Sequence, residues 1–209
     1  MKKIRTLVAV IATAVITLTS CSGSGAGSDK NSIFGSLPSE YSEYMAERAK
    51  LKEKGEKVTT EAEKAELIEK GKKLDEKWSA KLEKAAREVD GKEINITDSL
   101  FKVTSPISLT FEKLNGSSLA PRFKINGSAE NAELITVENT FNPQRYVYLA
   151  GYDAQGNQLF RMEVGKITGE INGTTLEIQP GTPVDFSTLK FYPADVDKYP
   201  EAKTYKLIV

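Results

Sequence analysis

A single thiol, three tyrosines spaced two and four residues apart and a pair of aspartates are the residues of this 209-residue chain that invite a chemical reading. The thiol is Cys21, the only cysteine. Tyr146, Tyr148 and Tyr152 alternate within one apolar run, so in a strand they share a face. Rings on such a face either form a platform for sugars and peptides or serve as ordinary sheet-forming residues. Asp195 and Asp197 have part of the spacing of a calcium loop. Lys198 follows, and the further oxygen ligands and central glycine of such a loop are missing, so no metal site is expected. The chain has no histidine. With one cysteine and no imidazole, Ser–His–Asp and Cys–His catalysis, most zinc sites and any internal disulfide are excluded. Acidic residues are plentiful enough to pair as in glycoside hydrolysis, but no nucleophile motif accompanies them. The expectation is a protein that is not an enzyme and carries no cofactor.

The setting of Cys21 is the strongest signal. Met1-Lys-Lys-Ile-Arg5 is positively charged, and residues 6–18 are Thr, Leu, Val, Ala and Ile only. Such a run is too short for a permanent span, which takes roughly 20 apolar residues, and fits the apolar region of a secretory signal. Leu18-Thr19-Ser20-Cys21 follows directly and resembles the lipobox of bacterial lipoproteins. The resemblance implies cleavage before Cys21, a thioether link from Cys21 to diacylglycerol, and acylation of the new amine, as with palmitate. One acyl chain anchors only marginally, whereas several hold firmly. Ser22 is not the aspartate that retains lipoproteins at the inner membrane in well-known systems. No acidic run follows Cys21, so the same resemblance implies an outer-membrane, periplasm-facing location. Residues 21–37, rich in Gly and Ser at the start, read as a flexible tether.

Charge argues against nucleic acid. Lys+Arg and Asp+Glu both number 29, and the leader holds three of the positives and no acids. A chain that begins at Cys21 is therefore slightly acidic, without the concentrated positive face that nucleic acid requires.

Residues 38–91 read as a charged helical neck. Ala, Glu, Lys and Leu dominate. Pro38 suits a first turn, Gly55 a break, Thr60-Glu-Ala-Glu63 a capping box and Gly91 a stop. Either a helical hairpin or one bent helix satisfies this pattern. Leu67, Gly71, Leu74, Trp78, Leu82, Ala85 and Val89 fall in an arc of roughly 80°, a narrow apolar stripe. Leu67, Leu74, Trp78 and Leu82 are thus either a partner face or a packing face. Lys81 and Glu88 stand where a strict heptad needs apolar residues, which argues against a long coiled coil. The first helix has a weaker stripe of Leu37, Tyr41, Tyr44 and Leu51, interrupted by Arg48.

Beyond Gly91 the composition changes to Ile, Thr, Val, Phe and Tyr. Strands are expected near 93–96, 100–104, 107–113, 121–126, 133–139, 145–152, 158–164, 174–179, 187–192 and 203–208. Asn115-Gly116, Asn126-Gly127, Gly156-Asn157, Asn172-Gly173 and Pro180-Gly181 are expected to be turns between them. In the hairpin 146–164, Phe160, Met162 and Val164 are the expected buried face. The pattern of 100–209, with its Tyr152-Asp153 hairpin and Pro180-Gly181 turn, resembles the immunoglobulin-like sandwiches of uncharacterised bacterial lipoproteins. Asp98-Ser99-Leu100 resembles a short O-glycosylation motif of some bacterial envelope systems.

The expected fold is therefore α+β by segments. A leader (1–20), a tether (21–37) and a helical neck (38–91) precede an all-β immunoglobulin-like sandwich (92–209). The expected function is non-catalytic: a lipid-anchored envelope protein that binds or scaffolds another envelope component. A glycan-binding accessory lipoprotein and a small hydrolase are the alternatives. The membrane, reached through the lipid, and an envelope protein or glycan are the expected partners, with no nucleic acid.

Overall fold

The computed structural model describes residues 33–97, 99–191 and 193–209. The leader, Cys21 and the first part of the tether lie outside the described residues, as does Asp98. Two helices come first, followed by a β-rich region of antiparallel sheets.

Helix α1 runs Leu37–Glu56 and α2 runs Glu61–Arg87. Pro38 sits in the first turn of α1, where its missing N–H costs no hydrogen bond. The capping box of α2 forms: Thr60 Oγ1 accepts from the Glu63 N–H at 3.3 Å, and the Glu63 carboxylate accepts from the Thr60 N–H at 3.2 Å. Glu66–Lys70 and Glu83–Arg87 pair along the solvent side of α2 at 2.6 and 2.7 Å. The chain forms a hairpin rather than one bent helix. Two details differ from the expectation. Helix α1 continues through Gly55, and α2 ends before Gly91, which takes a left-handed φ of +74° in the turn beyond it.

The apolar stripes of the two helices meet. Leu74, Trp78, Leu82, Ala85 and Val89 are buried, and Trp78 lies 6.2 Å from the ring of Tyr44. Arg48, the interruption in the stripe of α1, becomes a polar stitch. It donates to the Tyr44 hydroxyl at 2.8 Å, and that hydroxyl donates to Asp75 Oδ1 at 2.9 Å. A buried hydroxyl thus has both partners it needs.

Ten strands follow: β1 Phe101–Asn115, β2 Ala120–Asn131, β3 Ile135–Val137, β4 Gln144–Tyr152, β5 Gln158–Thr168, β6 Glu170–Asn172, β7 Thr175–Ile178, β8 Asp185–Phe186, β9 Thr188–Lys190 and β10 Thr204–Ile208. They pair as three sheets in the orders β1-β2-β9, β10-β4-β5-β8 and β3-β7-β6. The first two bury apolar faces against each other. Leu109, Ile125 and Leu189 on one side and Leu149, Val164 and Leu207 on the other line a void of only about 10 Å³, no larger than one water requires. Phe160, Met162 and Val164 are buried as their alternation predicts.

Several expected elements differ. Segments 100–104 and 107–113 are one strand, with Pro106 inside it. Proline lacks the N–H of a ladder, and the pairing shifts register there, between Ser105 and Ser108. Asn126-Gly127 is therefore not a turn. It lies within β2 opposite that irregularity, and a Cβ on Gly127 would stand 2.3 Å from the Pro106 carbonyl oxygen. Segment 93–96 contributes only isolated bridges, from Glu93 to Ser108 and from Ile96 to Tyr205. The short strands β6 and β8 and the 3-10 segment Pro193–Glu201 have no counterpart among the elements expected from sequence.

Residues 33–37, expected to close the tether, instead belong to the core. Phe34 and Leu37 have no exposed surface. Phe34 packs against Phe191 at 5.3 Å, Tyr199 at 5.2 Å and Phe160 at 6.4 Å. Tyr41 of α1 meets Phe191 at 6.0 Å and donates to the Ser118 carbonyl at 3.2 Å. Beyond α2, Gly91 donates to the Leu109 carbonyl at 2.8 Å and Ile94 to that of Ile107 at 2.7 Å. One cluster of buried side chains runs from Phe34 through both helices to Leu207.

Trp78→Ala removes the largest buried side chain between the helices and costs about 3–5 kcal/mol, read from the denaturant midpoint. An unchanged midpoint would contradict the packing. Burial pushes the Tyr41 phenol up to about 12, and burial together with the Asp75 hydrogen bond pushes Tyr44 higher still. An unfolded tyrosine ionises near pH ~10. The stability from these two neutral phenols is thus complete below about pH 10; that from Tyr41 is lost as the pH rises through about 12, and that from Tyr44 at higher pH. In an alkaline titration, their ionisation should coincide with loss of the helical circular dichroism signal. Ionisation with the helices retained would count against it.

Candidate functional site

The sheet β10-β4-β5 has an inner face in the core and an outer face toward solvent. Alternation along β4 sends Val147 and Leu149 inward and Tyr146 and Tyr148 outward. The three tyrosines singled out from the sequence lie on one strand, β4, and two of them, Tyr146 and Tyr148, stand together. The Tyr146 and Tyr148 rings are 6.4 Å apart, and Tyr146 is 46% exposed, among the most exposed large apolar side chains described. Tyr152 lies further along the same strand, its hydroxyl 3.4 Å from Gln158 Oε1.

Sequence reasoning missed the cations beside these rings. Lys166 Nζ lies 5.2 Å from the Tyr146 ring centre, the Arg161 guanidinium 5.0 Å from that of Tyr148, and Lys206 Nζ 5.3 Å from that of Tyr152. Each distance is within the range of cation–π attraction. Two of the cations come from β5 and one from β10. Lys166 pairs directly with Tyr146 only because the ladder shifts register twice; continued unshifted from Tyr152 and Gln158, the hairpin would set Val164 opposite Tyr146. Of these shifts, the one between Gly151 and Tyr152 places Glu163 opposite Tyr148 and Arg161 opposite Ala150, and the one between Val147 and Tyr148 brings Lys166 opposite Tyr146. Lys206 is brought in by the β10–β4 pairing, which no local pattern announces.

At the Tyr152 end the face opens into a cleft of about 250 Å³, lined by Thr97, Tyr152, Asp153, Lys203, Thr204 and Lys206 among others. Its Asp153 carboxylate holds the β4–β5 turn. Oδ1 accepts from the N–H groups of Gln155 at 2.9 Å and Asn157 at 2.8 Å, and Oδ2 from Asn157 Nδ2 at 2.9 Å. These bonds, that to the Asn157 side chain first, hold its carboxyl below the usual aspartate range. Its acceptor capacity is largely spent inside the turn.

The chain matches no family model, no curated protein and no solved structure. The reading of this face therefore rests on its geometry.

The remaining residues singled out from the sequence find their partners within the chain. Leu74, Trp78 and Leu82 are buried, and Leu67 is half-buried, so this part of the stripe is filled from within. The Ser99 hydroxyl donates to the Leu207 carbonyl at 2.8 Å and accepts from the Phe101 N–H at 3.1 Å. Asp197 accepts from Ser42 Oγ at 3.0 Å. Among the described residues no group of three or more acidic, cysteine or histidine side chains is arranged to hold a metal.

Asp153→Ala frees three donors of the turn and lowers the melting temperature. Because the folded carboxyl is held below its unfolded range, its contribution is complete above that range and is lost as the pH falls through the folded value. The gap between wild type and Asp153→Ala should accordingly narrow in acid. A gap that stays constant down to strongly acidic pH would contradict the assignment.

Proposed function

We propose that this chain is a non-catalytic, lipid-anchored protein of the bacterial cell envelope whose β-rich part binds or scaffolds another envelope component. The observation that carries the reading is Leu18-Thr19-Ser20-Cys21, placed directly after a positive start and a short apolar run. The lipid sits on Cys21, and the outer membrane, with the folded part facing the periplasm, is the location. Consistent with an anchor outside the folded part, no helix among the described residues is long and apolar enough to cross a membrane. An immunoglobulin-like sandwich is the finer reading of the β-rich region. Its support is the apolar interior shared by β1-β2-β9 and β10-β4-β5-β8.

A second reading, a glycan-binding accessory protein, is favoured by one observation. Three tyrosines project from the outer face of β4, each beside a cation. Rigid rings on a central strand offer sugar C–H faces a flat apolar surface with little ordering cost.

In cells, Cys21→Ser should abolish lipidation and move the protein from the detergent phase to the aqueous phase on phase separation. A variant that still partitions with detergent as wild type does would refute the anchor.

A further inference from the structure

We propose that the outer face of β10, β4 and β5 is a binding track for a linear glycan bearing carboxylates. The proposal rests on the glycan-binding reading and adds the chemistry of the ligand.

The track sets three ring-and-cation pairs along one strand, at steps of two and four residues. Tyr146 to Tyr152 covers six residues of one strand, about 20 Å at strand rise. Along it stand Tyr146 with Lys166, Tyr148 with Arg161, and Tyr152 with Lys206. Each pair offers an apolar ring and a positive donor side by side, the two features of an acidic sugar: an apolar C–H face and a carboxylate. Arg161 adds a planar fork that matches a carboxylate in two-point contact. Cation–π contacts at exposed sites are worth only about 0.5–1 kcal/mol, so the cations can turn to a ligand at low cost.

Charge selects the occupant. Arg161, Lys166, Lys203 and Lys206 border the track and its cleft, in a chain with as many acids as bases. Among the described residues, Glu163 opposite Tyr148 and Asp185 opposite Lys166 are acids on this face, and Asp153 is bound into its turn. The chain's own tether does not suit it, for residues 21–32, which remain after the proposed cleavage before Cys21, carry only one acid, Asp29, beside one base, Lys30. An extended peptide is recognised by adding to a sheet edge through main-chain bonds, and an acidic motif by a cluster of arginines, whereas Arg161 is the one arginine among these four cations. Here β4 and β5 are the inner strands of their sheet. The β10 edge is partly taken by Thr97, which donates to the Tyr205 carbonyl at 3.0 Å. What remains for a ligand is the face, with rings and cations. The cleft of about 250 Å³ at the Tyr152 end is below drug-pocket size and suits a single sugar unit rather than a larger group.

The test titrates the full chain in detergent with polygalacturonate, with a neutral glucan of similar length and with poly-glutamate. Binding to polygalacturonate is expected to be at least tenfold tighter than to either of the others, and to weaken with salt. Tyr148→Ala and Arg161→Ala should each weaken it tenfold or more while leaving the melting temperature close to that of wild type. Lys72→Ala on α2 serves as the control and should change nothing. Equal binding to the neutral glucan would overturn the carboxylate inference while leaving the glycan reading standing. Binding to none of the glycans would overturn both. Tighter binding to poly-glutamate would replace the glycan with an acidic peptide. Unchanged affinity in Tyr148→Ala and Arg161→Ala would remove the track from this face.

Discussion

The structure depends on one aromatic junction. Phe34 precedes the first helix, Phe160 lies on β5, Phe191 follows β9, and Tyr199 lies in the 3-10 segment before β10. Their rings meet at 4.3–6.4 Å in edge-on and tilted arrangements. All four have at most 3% of their surface exposed. The junction closes only because Gly151 has no side chain: a Cβ there would stand 2.4 Å from the Phe160 ring. It fastens the start of the described chain to its last third. The helical hairpin is thereby held against the sheets, and Tyr41 adds a further contact to Phe191.

What the sequence made legible, it did through local rules. The Thr60–Glu63 capping box, the stripe of α2 and the hairpin alternation at 160–164 each involve residues a few positions apart, and each forms. Local rules fail where distant segments decide. Asn126-Gly127 has turn chemistry, yet Gly127 is needed because β1 carries Pro106 opposite it. Phe34 follows a Gly/Ser-rich stretch that reads as tether, and its burial is set by residues more than a hundred positions away. The candidate site divides the same way. The tyrosines share a face by strand periodicity, but their cations arrive through register shifts and a pairing with β10.

The junction and the tyrosine face are connected through the sheet. β4 and β5 turn Leu149, Phe160 and Met162 into the core and Tyr146, Tyr148 and Arg161 outward. The inner face is fixed by close packing, so the outer side chains stand on a stiff base, as recognition by preformed geometry requires. In the proposed function this division has a purpose: the proposed N-terminal lipid would fix the chain to a membrane and leave the face of the rigid sheet for binding.

The central claim is that helices and sheets form one cooperative core around the aromatic junction. Denaturant unfolding followed both by fluorescence of Trp78, the only tryptophan, and by hydrogen exchange of β4 and β5 amides tests it most directly. The account predicts one transition with the same midpoint for both probes. Loss of the Trp78 signal at a denaturant concentration where the β4 and β5 amides keep full protection would contradict it.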